Sequence, residues 1–533
     1  MSDIVLLLCA AGALTAPASA QVYRAGPQVV TYFSTVDDTD QPYGLFLPRN
    51  LDPAQSYPLV VSLHDAFSNH RLNLRRVFGK GNLPGQTNAE AARVFPTLPD
   101  VPFIVAAPLA RGTMGYEGLA ERDVYDVIDD VKKRFRIDDD RIYLTGIVMG
   151  GGGALWLALS RPDLWAAVAA ISPTPPSDTI ELAANAGLLP FKLFHGLHDP
   201  LVPVAATRLW HKRLFDAGTP VEYIEYPMLK HNAWDTAYKD AAIFHWFAQH
   251  RRNRFPDRVR FSTRLYAYRS AWWIHIDRFT PGSLATVDAR IREGNRVDAV
   301  IENVQEFHVD LKGHPGIDPS KPVTVIVNGS PWNPSTPPAP PPVRSKGPGR
   351  EGPVARIFAA RHVYVYGTSD NPDPAEIARR EHQAQSAAAA FREHTNLSLP
   401  VVADRDLAEE AILTANLILF GNRTTNRCIS YWSDRLPLHL NPGAADYGLI
   451  YAADVGVTRV VVISGLPPSI PGAAAGPSWL PPLQRAVATL PDYVLFRGSL
   501  DNRVAEGYFD QNWRLPPDAD RRLRSLPAIT VNR

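Results

Sequence analysis

Three groups of residues in this 533-residue chain have the types and the order of an acid, a base and a turn that should present a nucleophile. The first is Gly146-Ile147-Val148-Met149-Gly150, inside "DRIYLTGIVMGGGGALWLA", which passes from an apolar strand pattern through glycines into a helical pattern. The second is Asp199 in "FHGLHDPLVPV", just past an apolar strand run, and the third is His231 in "YPMLKHNAWD", just past the next. A carboxylate that orients an imidazole, and an imidazole that takes a proton from a hydroxyl, perform nucleophilic acyl transfer. A tight strand-to-helix turn lifts one side chain above a sheet, with a helix N-terminus behind it that favours developing negative charge. Here that side chain is Val148. It has no lone pair with which to attack and no proton for His231 to take. No single-base change converts a serine codon into a valine codon.

The elements that must position these residues alternate along residues 28–250. "YPLVVSLHD", "VPFIVAAPL", "DRIYLTG", "WAAVAAISP", "PFKLFHG" and "VEYIEYP" read as strands, most of them apolar throughout as in a parallel sheet covered on both faces. "GLAERDVYDVIDDVKKRF" (118–135), "GGGALWLALS" (151–160), "AATRLWHKRLFDAG" (205–218) and "DTAYKDAAIFHWFAQHRR" (235–252) read as helices. The alternation predicts a doubly wound α/β domain over 21–253. From 254 to 330 the texture changes to period-two alternation with Gly and Asn turns, as in "RVRFSTRLYAY" and "KPVTVIVNG", which predicts a small antiparallel β module. Residues 331–353 are proline-dense and read as a linker. Residues 354–533 return to short buried-type strands ("RHVYVYGT", "LPVVAD", "ANLILFGN", "VTRVVVISG") separated by helical patterns such as 374–394, a second, smaller α/β domain.

The segments "RIYLTG-x-x-MGGGG", "HG-x-x-D-x-x-VP" and "KHNAW" give residues 28–250 a resemblance to the α/β-hydrolase superfamily. They are most similar to secreted carboxylesterases of the polyhydroxybutyrate-depolymerase, feruloyl-esterase and prolyl-oligopeptidase-like kind. Turn, then acid, then histidine is that fold's chain order. The resemblance covers about half the chain and implies carboxylic-ester hydrolysis, with Val148 in the serine's place, Asp199 as the acid and His231 as the general base. It implies one oxyanion donor at the backbone N–H of Met149 and a second in the loop at Asp65 and Ala66, with His64 and Trp234 beside the substrate. Such esterases usually carry His-Gly in that loop, whereas this chain has His64-Asp65. An aspartate there adds bulk and negative charge next to a site meant to stabilise an oxyanion.

Loss of the serine from such a triad costs on the order of 10⁶ in turnover, so the chain is expected to be inactive or nearly so. Thr145 falls within the strand and Ser62 and Ser68 lie in no turn of the required kind, so no substitute hydroxyl is in view. A β-branched residue at the tip implies either a relaxed turn or a strain of roughly 1–3 kcal/mol held by its surroundings. Two rivals stand beside this reading: a non-catalytic carbohydrate- or polymer-binding scaffold protein, and a hydrolase whose water is activated directly by Asp65 and His231.

Other residues have plainer readings. His64, His70, His195 and His198 match no zinc spacing, so no metal is expected, and no cofactor motif is present. Trp156 and Trp210 sit at helical spacing among apolar residues as core, and Arg379-Arg380-Glu381 reads as a solvated helix face. Sequons at Asn328, Asn396 and Asn422 matter only in a glycosylating host. "MSDIVLLLCAAGALTAPASA" (1–20) ends Ala18-Ser19-Ala20 and reads as a secretory signal, although Asp3 stands where a cation is usual. Export would remove Cys9 and leave Cys428 without an intramolecular disulfide partner. Lys+Arg 55 against Asp+Glu 54 gives no electrostatic footprint for nucleic acid, and no later stretch is apolar enough to span a membrane. The resemblance to the esterases implies an ester, a carbohydrate or a polyester as the ligand.

Overall fold

The structure, a computed structural model, describes residues 23–332, 345–470 and 482–532. The proposed signal 1–20 and most of the proline-dense stretch lie outside the described residues.

Eight strands build the first sheet: β1 (Gly26–Ser34), β2 (Thr39–Leu47), β3 (Tyr57–Leu63), β4 (Ile104–Pro108), β5 (Ile137–Ile147), β6 (Ala167–Ile171), β7 (Phe191–Gly196) and β8 (Val221–Tyr226). Their order is β1-β2-β4-β3-β5-β6-β7-β8. The β1–β2 hairpin runs antiparallel at one edge and every pairing from β4 to β8 is parallel. This is the α/β-hydrolase fold. Burial at every position of β3, β4 and β6 explains their unbroken apolar sequences, because helices cover both faces. The β1–β2 hairpin mixes exposed and buried positions and so lacks the unbroken apolar run of the central strands. Helices Leu119–Arg134, Met149–Ser160 and Val204–Asp216 form where the apolar periodicity placed them.

The stretch 235–252 is not the single helix its pattern suggests. It breaks into Trp234–Ala237 and Ala242–Phe247 around left-handed Asp240 (φ +53°) and Ala241 (φ +57°). The break lets Tyr238 reach Thr145 Oγ1 at 2.6 Å while Phe244 and Phe247 enter the same buried cluster. Tertiary contacts here override helical periodicity.

Beyond β8 lie β9 (Arg258–Thr263), β10 (Ser270–Ala271), β11 (Ile274–Phe279), β12 (Ala285–Arg292), β13 (Arg296–Glu302), β14 (Val304–Val309), β15 (Thr324–Val327) and β16 (Ser330–Trp332). They form a five-stranded sheet, β16-β15-β13-β12-β9, and a three-stranded one, β10-β11-β14. Their pairings are antiparallel except that of β13 with β15, which run parallel. Strand β14 leaves for the other sheet, so the chain re-enters beside β13 in the same direction. At the two ends of the proline-dense stretch, Pro331 and Trp332 belong to β16, and Lys346 and Glu351 are buried. Glu351 accepts the N–H of Ala267 at 2.9 Å, which ties the end of this stretch to the β region.

The last region contains β17 (His362–Tyr366), β18 (Val401–Ala403), β19 (Asn416–Phe420), β20 (Leu438–Leu440), β21 (Tyr447–Asp454), β22 (Arg459–Gly465), β23 (Tyr493–Arg497), β24 (Ser499–Gly507) and β25 (Ile529–Val531). Seven of these make a mixed sheet, β18-β17-β19-β22-β21-β23-β24, parallel up to β22 and antiparallel from β21 onward. A 22-residue helix, Pro374–Thr395, crosses between β17 and β18. Asn396, at its end, donates to the carbonyl of Arg111 at 3.0 Å, and Arg356 lies 3.7 Å from Glu121, so this region is joined to the first. Among the described residues no helix is long and apolar enough to cross a membrane.

Candidate active site

Val148 stands between β5 and the helix Met149–Ser160 with φ +51° and ψ −103°. Its N–H donates to Ile171 O at 2.8 Å, and its carbonyl accepts the N–H of Gly152 at 2.8 Å and of Thr174 at 3.2 Å. The turn has therefore not relaxed around the valine. It keeps a left-handed conformation that is an outlier for a β-branched residue, and these hydrogen bonds hold the strain in place. The flanking glycines are required by space. A Cβ on Gly146 would fall 2.0 Å from Gly150 O, and one on Gly150 would fall 2.3 Å from Leu63 O. The helix thus crosses β3 and β5 at backbone contact, and all of its residues are buried.

Asp199 follows β7 and His231 follows β8, which brings the two loops to the same sheet edge as the turn. Nδ1 of His231 lies 3.0 and 2.9 Å from the two carboxylate oxygens of Asp199. The Asp199 side chain is fully buried while His231 is a quarter exposed. Burial alone would raise the Asp199 carboxyl. Hydrogen bonds from His195 and His231, and from the N–H groups of Val202 and Leu201, outweigh burial and hold it far below the usual carboxylate range. The ring of Trp234 meets that of His231 edge-on, centroids 5.4 Å apart. Val148 packs against the apolar cluster that contains Ala233 and Trp234, so the turn tip and the base loop share one wall.

The third loop follows β3. Met149 and Ala66 are almost fully buried, and among the described residues neither N–H is taken by a protein acceptor. Asp65, the negative charge that the sequence puts in this loop, has partners of its own. One carboxylate oxygen accepts the N–H of Phe67 at 2.8 Å and the other lies 3.2 Å from the Arg76 guanidinium. Arg76 is 5% exposed, also donates to Asn88 at 3.0 Å and lies over the Trp234 ring at 5.2 Å. A chain of contacts therefore runs from Asp65 through Arg76 and Trp234 to His231. His64 is fully buried, with Nδ1 2.7 Å from Asp65 O and Nε2 2.8 Å from Leu109 O, so its ring braces the loop.

The other candidates have structural partners. His195 is buried, with Nδ1 2.7 Å from Thr207 Oγ1 and Nε2 3.4 Å from Asp199. His198 is exposed, and burial lowers the His70 imidazole to about 4, with His64 and Arg71 adding to the effect. Ser62 Oγ accepts from Asn73 Nδ2 at 2.9 Å, and Thr145 is fully buried against Tyr238. Two residues escaped the sequence reading. Arg76 carries no signal beyond a basic pair in a short helix. Ser172, at the end of β6 with φ +46°, is fully buried beside the turn, and its hydroxyl has no partner among the described residues.

Residues 120–245 match the model of a family described as Phospholipase/Carboxylesterase. A protein described as "Putative esterase NocK", from Nocardia uniformis subsp. tsuyamanensis, is 36% identical over 77 residues, which are 14% of this chain and 22% of that protein. A thermostable esterase of known structure is 24% identical, with a TM-score of 0.33 and coverage of 42% of this chain and 63% of that one. The chain thus covers less than two thirds of either relative. A ferulic acid esterase is 18% identical with a TM-score of 0.34, covering 43% of this chain and 99% of that one. A ferulic acid esterase from Anaeromyces mucronatus, solved with ferulic acid, is 16% identical with a TM-score of 0.33, covering 43% and 92%.

Proposed function

We propose that this chain, an α/β-hydrolase of the carboxylesterase-like group across its first sheet, is a relative of the carboxylic-ester hydrolases that has lost turnover and kept its cleft. The observation that carries this reading is the pairing of an intact His231–Asp199 couple with a valine at the tip of an unrelaxed turn. In an active relative a serine hydroxyl at the tip would attack the ester carbonyl and pass its proton to His231. The amides of Met149 and Ala66 would receive the oxyanion, and water activated by the same imidazole would release the acyl group. Here the first step has no attacking atom, so the remaining groups can bind an ester but cannot form an acyl-enzyme.

Two further parts of the reading rest on the sequence. The chain is exported, and its β region and C-terminal α/β region are accessory domains that present an ester, a carbohydrate or a polyester to the cleft. A directly activated water is disfavoured, because the Asp65 carboxylate is occupied by Arg76 and the Phe67 amide.

The test is hydrolysis of 4-nitrophenyl acetate by the purified chain. The expected result is a rate equal to that of the His231→Ala variant. A wild-type rate well above background that disappears in His231→Ala would overturn the inactivity. Binding that survives deletion of residues 254–533 would place the ligand in the first region, and binding lost with them would favour a scaffold role for the rest.

A further inference from the structure

A cavity of about 370 Å³ opens where the three regions meet, within the size range of small-molecule sites. None of Val148, Asp199, His231 or Asp65 lines it. Its connection to the turn is the helix Met149–Ser160, whose last turns place Trp156 and Ser160 in the cavity wall, roughly 12 and 18 Å along the helix from Val148. It is therefore separate from the turn at Val148 and the His231–Asp199 couple.

Its walls are mainly apolar and come from all three regions: Met114 and Leu119 from the first, Leu265 and Phe279 from the β region, Phe358 and Phe391 from the last. The charges on these walls are not balanced. Each lysine or arginine side chain is already engaged, Arg264 with Glu181 at 2.6 Å, Arg356 with Glu121 at 3.7 Å and Lys346 with Asp492. Glu117 and Asp178 also line the cavity, and among the described residues neither carboxylate has a hydrogen bond or an ion pair. Both carboxylates are exposed on the cavity wall, where they repel each other beside an apolar surface, and Arg356 is the cation that opposes Glu117. The Glu117 side chain is exposed to the cavity, yet its carboxyl is pushed up to about 8 by desolvation, with Asp178 and Glu121 adding and Arg356 opposing.

We propose that this cavity binds a small apolar amine, with its ammonium held by Glu117 and Asp178 and its hydrocarbon laid against Leu265, Phe279, Phe358 and Phe391. A neutral or anionic molecule of the same shape would fill the apolar part and leave the carboxylates uncompensated.

Calorimetric titration of the full chain with decylammonium, decanol and decanoate tests the assignment. Decylammonium should bind saturably and at least roughly tenfold more tightly than decanol, with decanoate weaker still. Glu117→Gln with Asp178→Asn should reduce decylammonium to the affinity of decanol and leave decanol unchanged. Equal affinities for the three probes, absence of saturable binding, or an amine affinity indifferent to the double variant would overturn the proposal. Ala387→Trp fills the cavity from the long helix of the last region and gives an independent arm. It should abolish decylammonium binding, and amine affinity retained in a folded Ala387→Trp chain would equally overturn it.

Discussion

The imidazole of His231 contacts both carboxylate oxygens of Asp199, at 3.0 and 2.9 Å, although the turn after β5 carries only a hydrocarbon at its tip. The couple persists because it is also structural. Asp199 accepts from the N–H groups of Leu201 and Val202 and contacts His195, so its carboxylate organises its own loop whether or not a proton ever moves through the ring.

That network sets an acid dependence. The folded Asp199 carboxyl lies below its unfolded value, so the unfolded chain binds more protons and stability rises with pH through the interval between the two. Its contribution is present above the unfolded value of about 3.9 and is lost as pH falls toward the folded one. Asp199→Asn should cost about 2 kcal/mol at neutral pH. The gap to wild type, followed by urea unfolding, should narrow only below about pH 4. A gap that narrows already near neutrality would contradict it.

Strain at the turn gives a second expectation. Val148→Gly removes a β-branched side chain from φ +51°. Relief of roughly 1–3 kcal/mol, less the 0.5–1 kcal/mol entropic cost of glycine, should leave the variant about 1 kcal/mol more stable. Chemical denaturation followed by the buried tryptophans measures this, and a destabilised variant would mean that packing against the Trp234 cluster outweighs the backbone.

Much of this was legible in the chain. The continuous apolar runs of β3, β4 and β6 name a parallel sheet, and the order of turn, acid and base orients the cleft. The short range of sequence patterns is what hid the rest. The break at Asp240 exists so that Tyr238 can reach Thr145, 93 positions away in the chain, and no local periodicity records such a contact. Asp65 in isolation looks hostile to an oxyanion, and only the fold reveals that Arg76, from the helix behind it, takes up its charge. Parallel pairing of β13 with β15 is likewise set by where β14 goes, not by either strand's alternation.

The Asp65–Arg76 pair should behave as a unit. Their side chains are 10% and 5% exposed, so removing one partner leaves a buried charge at a cost of about 3–5 kcal/mol. Arg76→Met and Asp65→Gly should each be strongly destabilising, and the double variant should recover most of the loss. Additive effects in that cycle, read as unfolding free energies, would show the pair to be uncoupled.

Glu117 predicts the opposite pH trend from Asp199. Its carboxyl, ordinarily near 4.5, is pushed up to about 8 by desolvation, Asp178 and Glu121, with Arg356 opposing. Across that interval the folded chain holds the proton more firmly than the unfolded chain, so stability falls as pH rises. Glu117→Gln should melt like wild type near about pH 4 and higher near about pH 9, by a margin that the exposure of the side chain keeps small, as read by differential scanning calorimetry. Identical melting at both ends would exclude a destabilising carboxylate in the cavity.

The most direct measurement restores the missing oxygen without disturbing Asp65, whose removal would strand Arg76. Val148→Ser should hydrolyse 4-nitrophenyl acetate at least about 10³-fold faster than wild type. Adding His231→Ala should return the rate to the wild-type level. A Val148→Ser chain that folds with its His231–Asp199 contact intact and remains as inert as wild type would contradict the reading of this cleft as an esterase site that lacks only its nucleophile.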